Sequence, residues 1–233
     1  MTNPLIVALD FPSLEPCRKL LQELKGLVQI YKIGSELFTA CGWEAVEFVH
    51  RSGAKVFLDL KLHDIPTTVA KTSRVIASHG VFMFNVHALG GLEMMRAAKT
   101  TVDEVASPPS KPLLLAVTIL TSLEEKSLSQ ELGIQRPVKD EVLALARLAK
   151  QAGLDGVISS PEETGFLGRE MGKGFVLVTP GIRPPGSQKN DQARSLTPRE
   201  AVQLGAHYLV VGRPITASSN PQASASEILQ SLA

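Results

Sequence analysis

The sequence predicts an α/β protein, a (β/α)8 barrel forming a single domain over residues 1–233. Three observations carry this. Eight short β-rich runs alternate with helix-like amphipathic segments, and the length of 233 residues is one that such barrels commonly occupy. The runs are nearly continuously apolar, as strands buried on both faces of a parallel sheet are. The first run is not followed by a G-x-G-x-x-G turn, so the runner-up, an open doubly wound sheet binding a dinucleotide, lacks its signature.

In order, the first run, "LIVALD" (5–10), ends on Asp10, and the helical "SLEPCRKLLQELKG" (13–26) closes on a glycine suited to a C-cap. "QIYKIG" (29–34) carries Lys32 near its end. "KVFLDLK" (55–61) carries Asp59 and Lys61 and runs into Asp64. Side chains alternate along a strand, so Val56, Leu58, Leu60 and Leu62 face the outer helices, while Phe57, Asp59 and Lys61 point into the barrel. The helical "IPTTVAKTSRVIASHG" (65–80) again ends in glycine. "VFMFNVHA" (81–88) brings Asn85 and His87 to its end, and "PLLLAVTIL" (112–120) leads to Thr118, Thr121 and Ser122. The Pro-rich "VASPPSKP" (105–112) reads as a connection rather than a domain boundary. After the helical "VKDEVLALARLAKQAG" (138–153) come "GVISS" (156–160), "FVLVTP" (175–180) leading to Pro180, Gly181 and Arg183, and "HYLVVGR" (207–213) leading to Gly212 and Arg213. The polar, Gly- and Pro-rich loop at 183–198 has the length and composition of a lid.

Composition narrows the function. With 24 basic and 23 acidic residues, the chain has no charge excess for general binding to nucleic acid or a membrane surface. Cys17 and Cys41 show neither metal-ligand spacing nor a secreted disulfide framework, and read as free thiols of a cytoplasmic protein. The N-terminus lacks the basic region of a signal peptide, and no apolar run approaches the roughly 20 residues of a membrane span.

Barrel enzymes take their chemistry from the C-terminal ends of strands. Opposite charges inside a barrel are costly unless paired or used, and Asp10, Lys32, Asp59 and Lys61 can pair within one cavity. Blander readings stand beside this. Asp59 and Lys61 could line an exposed antiparallel strand, Asp64 could be a helix N-cap, Lys32 could snorkel outward, and His87 could be a hydrogen-bonded structural residue with His63 merely adjacent. No His, Cys and carboxylate set has the spacing of a metal site. Barrels often bind phosphate with the loops after strands seven and eight, where Gly212 allows close approach and Arg213 offers a bidentate partner. The residues alone therefore indicate a barrel enzyme acting on a small phosphorylated substrate through a Lys/Asp network.

The ordered set Asp10, Lys32, "DLKLHDIPTT", "LTS", "PGIR", "DQ" and "VVGRPI" resembles the bacterial-type orotidine 5′-monophosphate decarboxylase family. The D-x-K-x-x-D-I-x-x-T signature is complete at Asp59, Lys61, Asp64, Ile65 and Thr68, and the match runs from residue 5 to about 215 without a departure at any motif position. The resemblance implies a TIM barrel of the ribulose-phosphate-binding type. It implies decarboxylation of orotidine 5′-monophosphate to uridine 5′-monophosphate without metal or organic cofactor. It also implies that Lys61 protonates C6 within a Lys32/Asp59/Lys61/Asp64 network, in a homodimer whose other subunit supplies Asp64, Ile65 and Thr68. Asp10 and Lys32 are then expected at the ribose, Thr121 and Ser122 at the base, Pro180 among the substrate-binding residues, and Arg183, Gln192, Gly212 and Arg213 at the phosphate. The rivals are a magnesium-dependent sugar-phosphate decarboxylase or aldolase on the same barrel, and a non-catalytic phosphate-binding barrel.

Overall fold

The structure of the chain, a computed structural model, describes residues 3–183 and 196–232. Its elements run β1 (Leu5–Ala8), α1 (Leu14–Glu23), β2 (Ile30–Gly34), α2 (Ser35–Cys41), α3 (Trp43–Arg51), β3 (Lys55–Leu62), α4 (Pro66–Ser78) and β4 (Met83–His87). After a short 3-10 turn at Ala88–Gly90 come α5 (Gly91–Val105), β5 (Leu113–Val117), α6 (Glu125–Gln130), α7 (Val138–Gln151), β6 (Gly156–Ile158) and α8 (Pro161–Met171). The chain continues with β7 (Val176–Thr179), α9 (Pro198–Gln203), β8 (Tyr208–Val211), α10 (Arg213–Thr216) and α11 (Pro221–Gln230). The eight strands pair in sequence order, all parallel, and β1 closes on β8 through Leu5↔Leu209, Ile6↔Val210 and Val7↔Val211. The expected (β/α)8 barrel is the observed fold.

All eight strands sit where the apolar runs stand, but several are shorter. The run at 112–120 is a strand only over Leu113–Val117, and Thr118–Leu120 leave the ladder toward the barrel mouth. Helices form where apolar residues recur at helical spacing. In α7 these are Val142, Leu145, Ala146 and Ala149, all buried against the sheet. Gly80 and Gly153, one residue beyond the C-caps of α4 and α7, take φ of +66° and +84°, a conformation that favours glycine.

Strand alternation divides the core in two. Outward residues such as Leu5, Val7, Tyr31, Leu58, Phe84 and Val211 pack under the helices. Inward residues Ile6, Ala8, Ile30, Phe57, Met83, Leu115, Val178 and Val210 fill the barrel axis. This apolar plug keeps water out from beneath, so a polar layer above it is open only at the mouth. Ile182 and Leu196 form a parallel bridge, and the Arg183 N–H donates to the Leu196 carbonyl at 3.0 Å, which ties together the ends of the loop expected at 183–198.

Candidate active site

The inward row of each strand turns polar as it reaches the mouth. Above Ile6 and Ala8 comes Asp10; above Ile30 comes Lys32; above Phe57 come Asp59 and Lys61; above Met83 comes Asn85. The register places these groups side by side, with Ala8 opposite Lys32 and Gly34 opposite Asp59.

The charges alternate. Lys32 Nζ lies 3.0 Å from Asp10 Oδ1 and 3.5 Å from Asp59 Oδ2, and Lys61 Nζ donates to Asp59 Oδ1 at 2.8 Å. The Lys32 and Asp59 side chains are only 12% and 13% exposed, so burial alone would push the Asp59 pKa up. The Lys32 and Lys61 ammonium groups, with hydrogen bonds from Lys61 and Asn85, outweigh that and hold the carboxyl below its ordinary value. Asp59 is therefore ionised at neutral pH, between two cations. The readings of Asp59 and Lys61 as an exposed strand face, and of Lys32 as a snorkelling surface residue, do not survive.

Lys61 has φ of +52°, the one positive φ among the described non-glycine residues. The β3–β4 register slips there: Leu58 pairs with Phe84 and Leu62 with Val86, so Asp59, Leu60 and Lys61 stand against the single residue Asn85. Asn85 is 1% exposed. Its Oδ1 accepts the Lys61 backbone N–H at 2.8 Å, and its Nδ2 donates to Asp59 Oδ1 at 2.7 Å.

A cavity of about 180 Å³ opens beside this network. Lys32, Asp59, Lys61, Thr121, Ser159 and Ser160 supply its polar wall, and Phe57, Ile119, Ile158, Pro180 and Val210 much of its apolar wall. Larger hollows, such as one of about 630 Å³ between α1 and α3, lie on the outside of the barrel, away from the charged chain. Of the two residues expected near a base, Thr121 lines the cavity and Ser122 does not. Gly212 is the N-cap of α10, and Arg213 opens that helix. Gln192 lies outside the described residues.

Asp64 is exposed on the same rim, where its Oδ1 accepts the Ile65 N–H at 2.6 Å. The N-cap of α4 is Ile65, so Asp64 is not that helix's cap, and no ion pair among the described residues links it to Lys61 of its own chain. Ile65, 64% exposed, and Thr68 continue the rim. His87 Nδ1 accepts the Leu89 N–H at 3.3 Å, and its ring lies 5.5 Å from that of His63. Burial, then His63 and Lys61, hold the His87 pKa down, consistent with a neutral structural residue. No cluster of His, Cys, Asp and Glu among the described residues has the makings of a metal site, and no described helix is long and apolar enough to cross a membrane.

Sequence reasoning placed Asn85 at the end of its strand but missed its task, along with the contribution of Ser159, Ser160 and the apolar wall. The signal for Asn85 was available: it shares the inward parity of Met83, and an amide pointing into a barrel needs partners.

Comparison with known proteins agrees with the fold. The chain matches the model of the Orotidine 5′-phosphate decarboxylase / HUMPS family over residues 3–228. It is 49% identical to the orotidine 5′-phosphate decarboxylase of Syntrophotalea carbinolica over 98% of this chain and 94% of that one. It is 48% identical to the enzyme of the same name from Moorella thermoacetica, over 97% and 90% of the two chains. The crystal structure of orotidine 5′-phosphate decarboxylase from Lactobacillus acidophilus superposes with a TM-score of 0.88 at 40% identity, covering 99% of both chains.

Proposed function

Because the chain belongs to the orotidine 5′-phosphate decarboxylase / HUMPS family, we propose that it is the carboxy-lyase of pyrimidine biosynthesis that converts orotidine 5′-monophosphate to uridine 5′-monophosphate and CO2. The observation that carries this reading is the alternating Asp10–Lys32–Asp59–Lys61 chain on the floor of the mouth.

The bond from C6 of the pyrimidine to its carboxylate breaks, CO2 departs, and the electron pair stays on C6. That carbon has no good resonance sink, so the site must stabilise negative charge where it develops. The Lys61 ammonium is a cation fixed in advance at that position. It then gives C6 a proton, and water returns one to the amine. Asp59, ionised and 2.8 Å from Lys61 Nζ, pairs with and orients the ammonium and also crowds the substrate carboxylate before it leaves. Asp10 and Lys32 hold the ribose hydroxyls, Thr121 and Ser122 border the base, and Pro180 lines the cavity beside them. Arg183, Arg213 and the Gly212 amide at the start of α10 hold the phosphate together with Gln192. Gripping a phosphate remote from the reacting bond supplies binding energy that offsets the crowding of charge at C6. Asp64, Ile65 and Thr68 enter the neighbouring site of a cytoplasmic homodimer, which explains why they stand exposed on the rim of their own chain.

The experiment is ultraviolet absorbance of the purified protein with orotidine 5′-monophosphate, with and without a chelator. Conversion unaffected by the chelator supports the cofactor-free reaction, and abolition by the chelator favours the magnesium-dependent relatives. Lys61→Ala is expected to lower turnover by about 1,000-fold or more while nucleotide binding persists. Retained turnover would sink the assignment of Lys61.

A further inference from the structure

We infer that Asn85 is a positioning residue for Lys61: its carboxamide clamps the irregular turn of β3 that aims the Lys61 ammonium. This rests on the proposed role of Lys61. Three residues of β3, Asp59, Leu60 and Lys61, face Asn85 alone, so the regular ladder has no partner strand carbonyl in step with the Lys61 N–H. A buried N–H must find an acceptor, and the Asn85 Oδ1 at 2.8 Å is that acceptor. The other half of the amide donates at 2.7 Å to Asp59 Oδ1, the same oxygen that accepts from Lys61 Nζ at 2.8 Å. One side chain thus fixes both the backbone of Lys61 and the carboxylate that orients its tip.

The chemistry restricts what can stand at this position. The clamp needs an acceptor and a donor on one short, planar group inside the barrel, which asparagine supplies. Leucine has the shape and neither function. Ionised aspartate accepts but cannot donate, and it sets a second negative charge against Asp59. Protonated aspartic acid restores both functions. Lysine seldom takes a left-handed φ unaided, so without the clamp the local backbone has a reason to relax and carry the ammonium away from Asp59.

The test compares the parent chain with Asn85→Ala and Asn85→Asp, measuring kcat and KM for orotidine 5′-monophosphate from about pH 8 down to about pH 5, where a buried carboxyl becomes protonated. For Asn85→Ala, kcat is expected to fall about 100-fold, since a small misplacement of a reacting group has that effect, with KM within about threefold. For Asn85→Asp, kcat relative to the parent is expected to rise at least about tenfold from the top of that pH range to the bottom, as the added carboxyl gains its proton. A parent-like kcat for Asn85→Ala, or a flat ratio for Asn85→Asp, overturns the inference. So does a loss in Asn85→Ala that only tracks its unfolded fraction. If Asn85→Ala does not fold, the pH dependence of Asn85→Asp decides alone. A parent that turns over no orotidine 5′-monophosphate counts against the proposed function instead. The clamp is then judged by a crystal structure of Asn85→Asp grown near pH 8, where Lys61 still at a left-handed φ and in contact with Asp59 overturns it.

Discussion

Gly34 shows how one missing side chain shapes the site. It ends β2 opposite Asp59, and a Cβ there would stand 2.9 Å from Lys32 Nζ and 3.4 Å from Asp10 Oδ1. Its backbone, at φ of −89°, suits any residue, so the glycine is required by the neighbouring ammonium rather than by the chain's own geometry. The obstructing atom is the tip of a flexible side chain, so Gly34→Ala should fold with stability within about 1 kcal/mol of the parent, helped by a less flexible unfolded chain. The same methyl pushes the Lys32 ammonium off the line between Asp10 and Asp59. If Lys32 holds ribose and props Asp59, kcat/KM should fall about tenfold or more, each tenfold being about 1.4 kcal/mol of transition-state stabilisation. Denaturant unfolding and steady-state kinetics on the same preparation check both halves. An unchanged kcat/KM would show that the position of Lys32 is not critical.

At the scale of elements, the two ends of the barrel carry separate duties. At the closed end, Asp155 just before β6 accepts the Leu114 N–H of β5 at 2.8 Å and the Lys99 ammonium of α5 at 3.1 and 3.2 Å. The Lys99 side chain is 12% exposed, and Asp155→Ala leaves Asp103, 3.4 Å away on the same helix, as its one carboxylate partner among the described residues. The expected cost is about 2 kcal/mol of stability, below the value for a fully buried pair because Asp155 is partly exposed. Turnover per folded molecule should be unchanged, and denaturation followed by kinetics separates the two effects; lost kcat in fully folded protein would contradict this division. The strand that makes the site was legible for a related reason. Strict alternation from Val56 to Leu62 placed Phe57, Asp59 and Lys61 inside, and the structure agrees. The bulge within it was not legible, since no Gly or Pro marks it and the residue that stabilises it lies 24 positions further on. Ser122 was named for its adjacency to Thr121, and of the two only Thr121 lines the cavity, because neighbours on an irregular loop need not point the same way. The role proposed for Asp64 rests on resemblance alone, because no ion pair among the described residues joins its carboxylate to Lys61 of its own chain.

At the scale of the whole molecule, one barrel carries the floor of a site and a rim that does not face that floor. Ile65, Thr68, Thr72 and Val75 follow one another at intervals of three and four residues along the start and body of α4, which puts them on one stripe. Ile65 and Val75 are 64% and 47% exposed, a large apolar area for water to cover, beside the exposed carboxylate of Asp64. A two-fold dimer built on this stripe would cover it twice and carry each Asp64 toward the partner's Lys61, since an isologous contact repeats every interaction. Chains bearing Lys61→Ala and chains bearing Asp64→Ala should each be inactive alone. After subunit exchange, a mixed dimer has one site with both lesions and one site with neither. With random exchange, half the dimers are mixed and each has one intact site, so about a quarter of the parent activity should return. Mass spectrometry of differently tagged chains confirms that exchange has taken place. Mixed dimers without activity would mean that each barrel completes its own site, and that the exposed rim serves association alone.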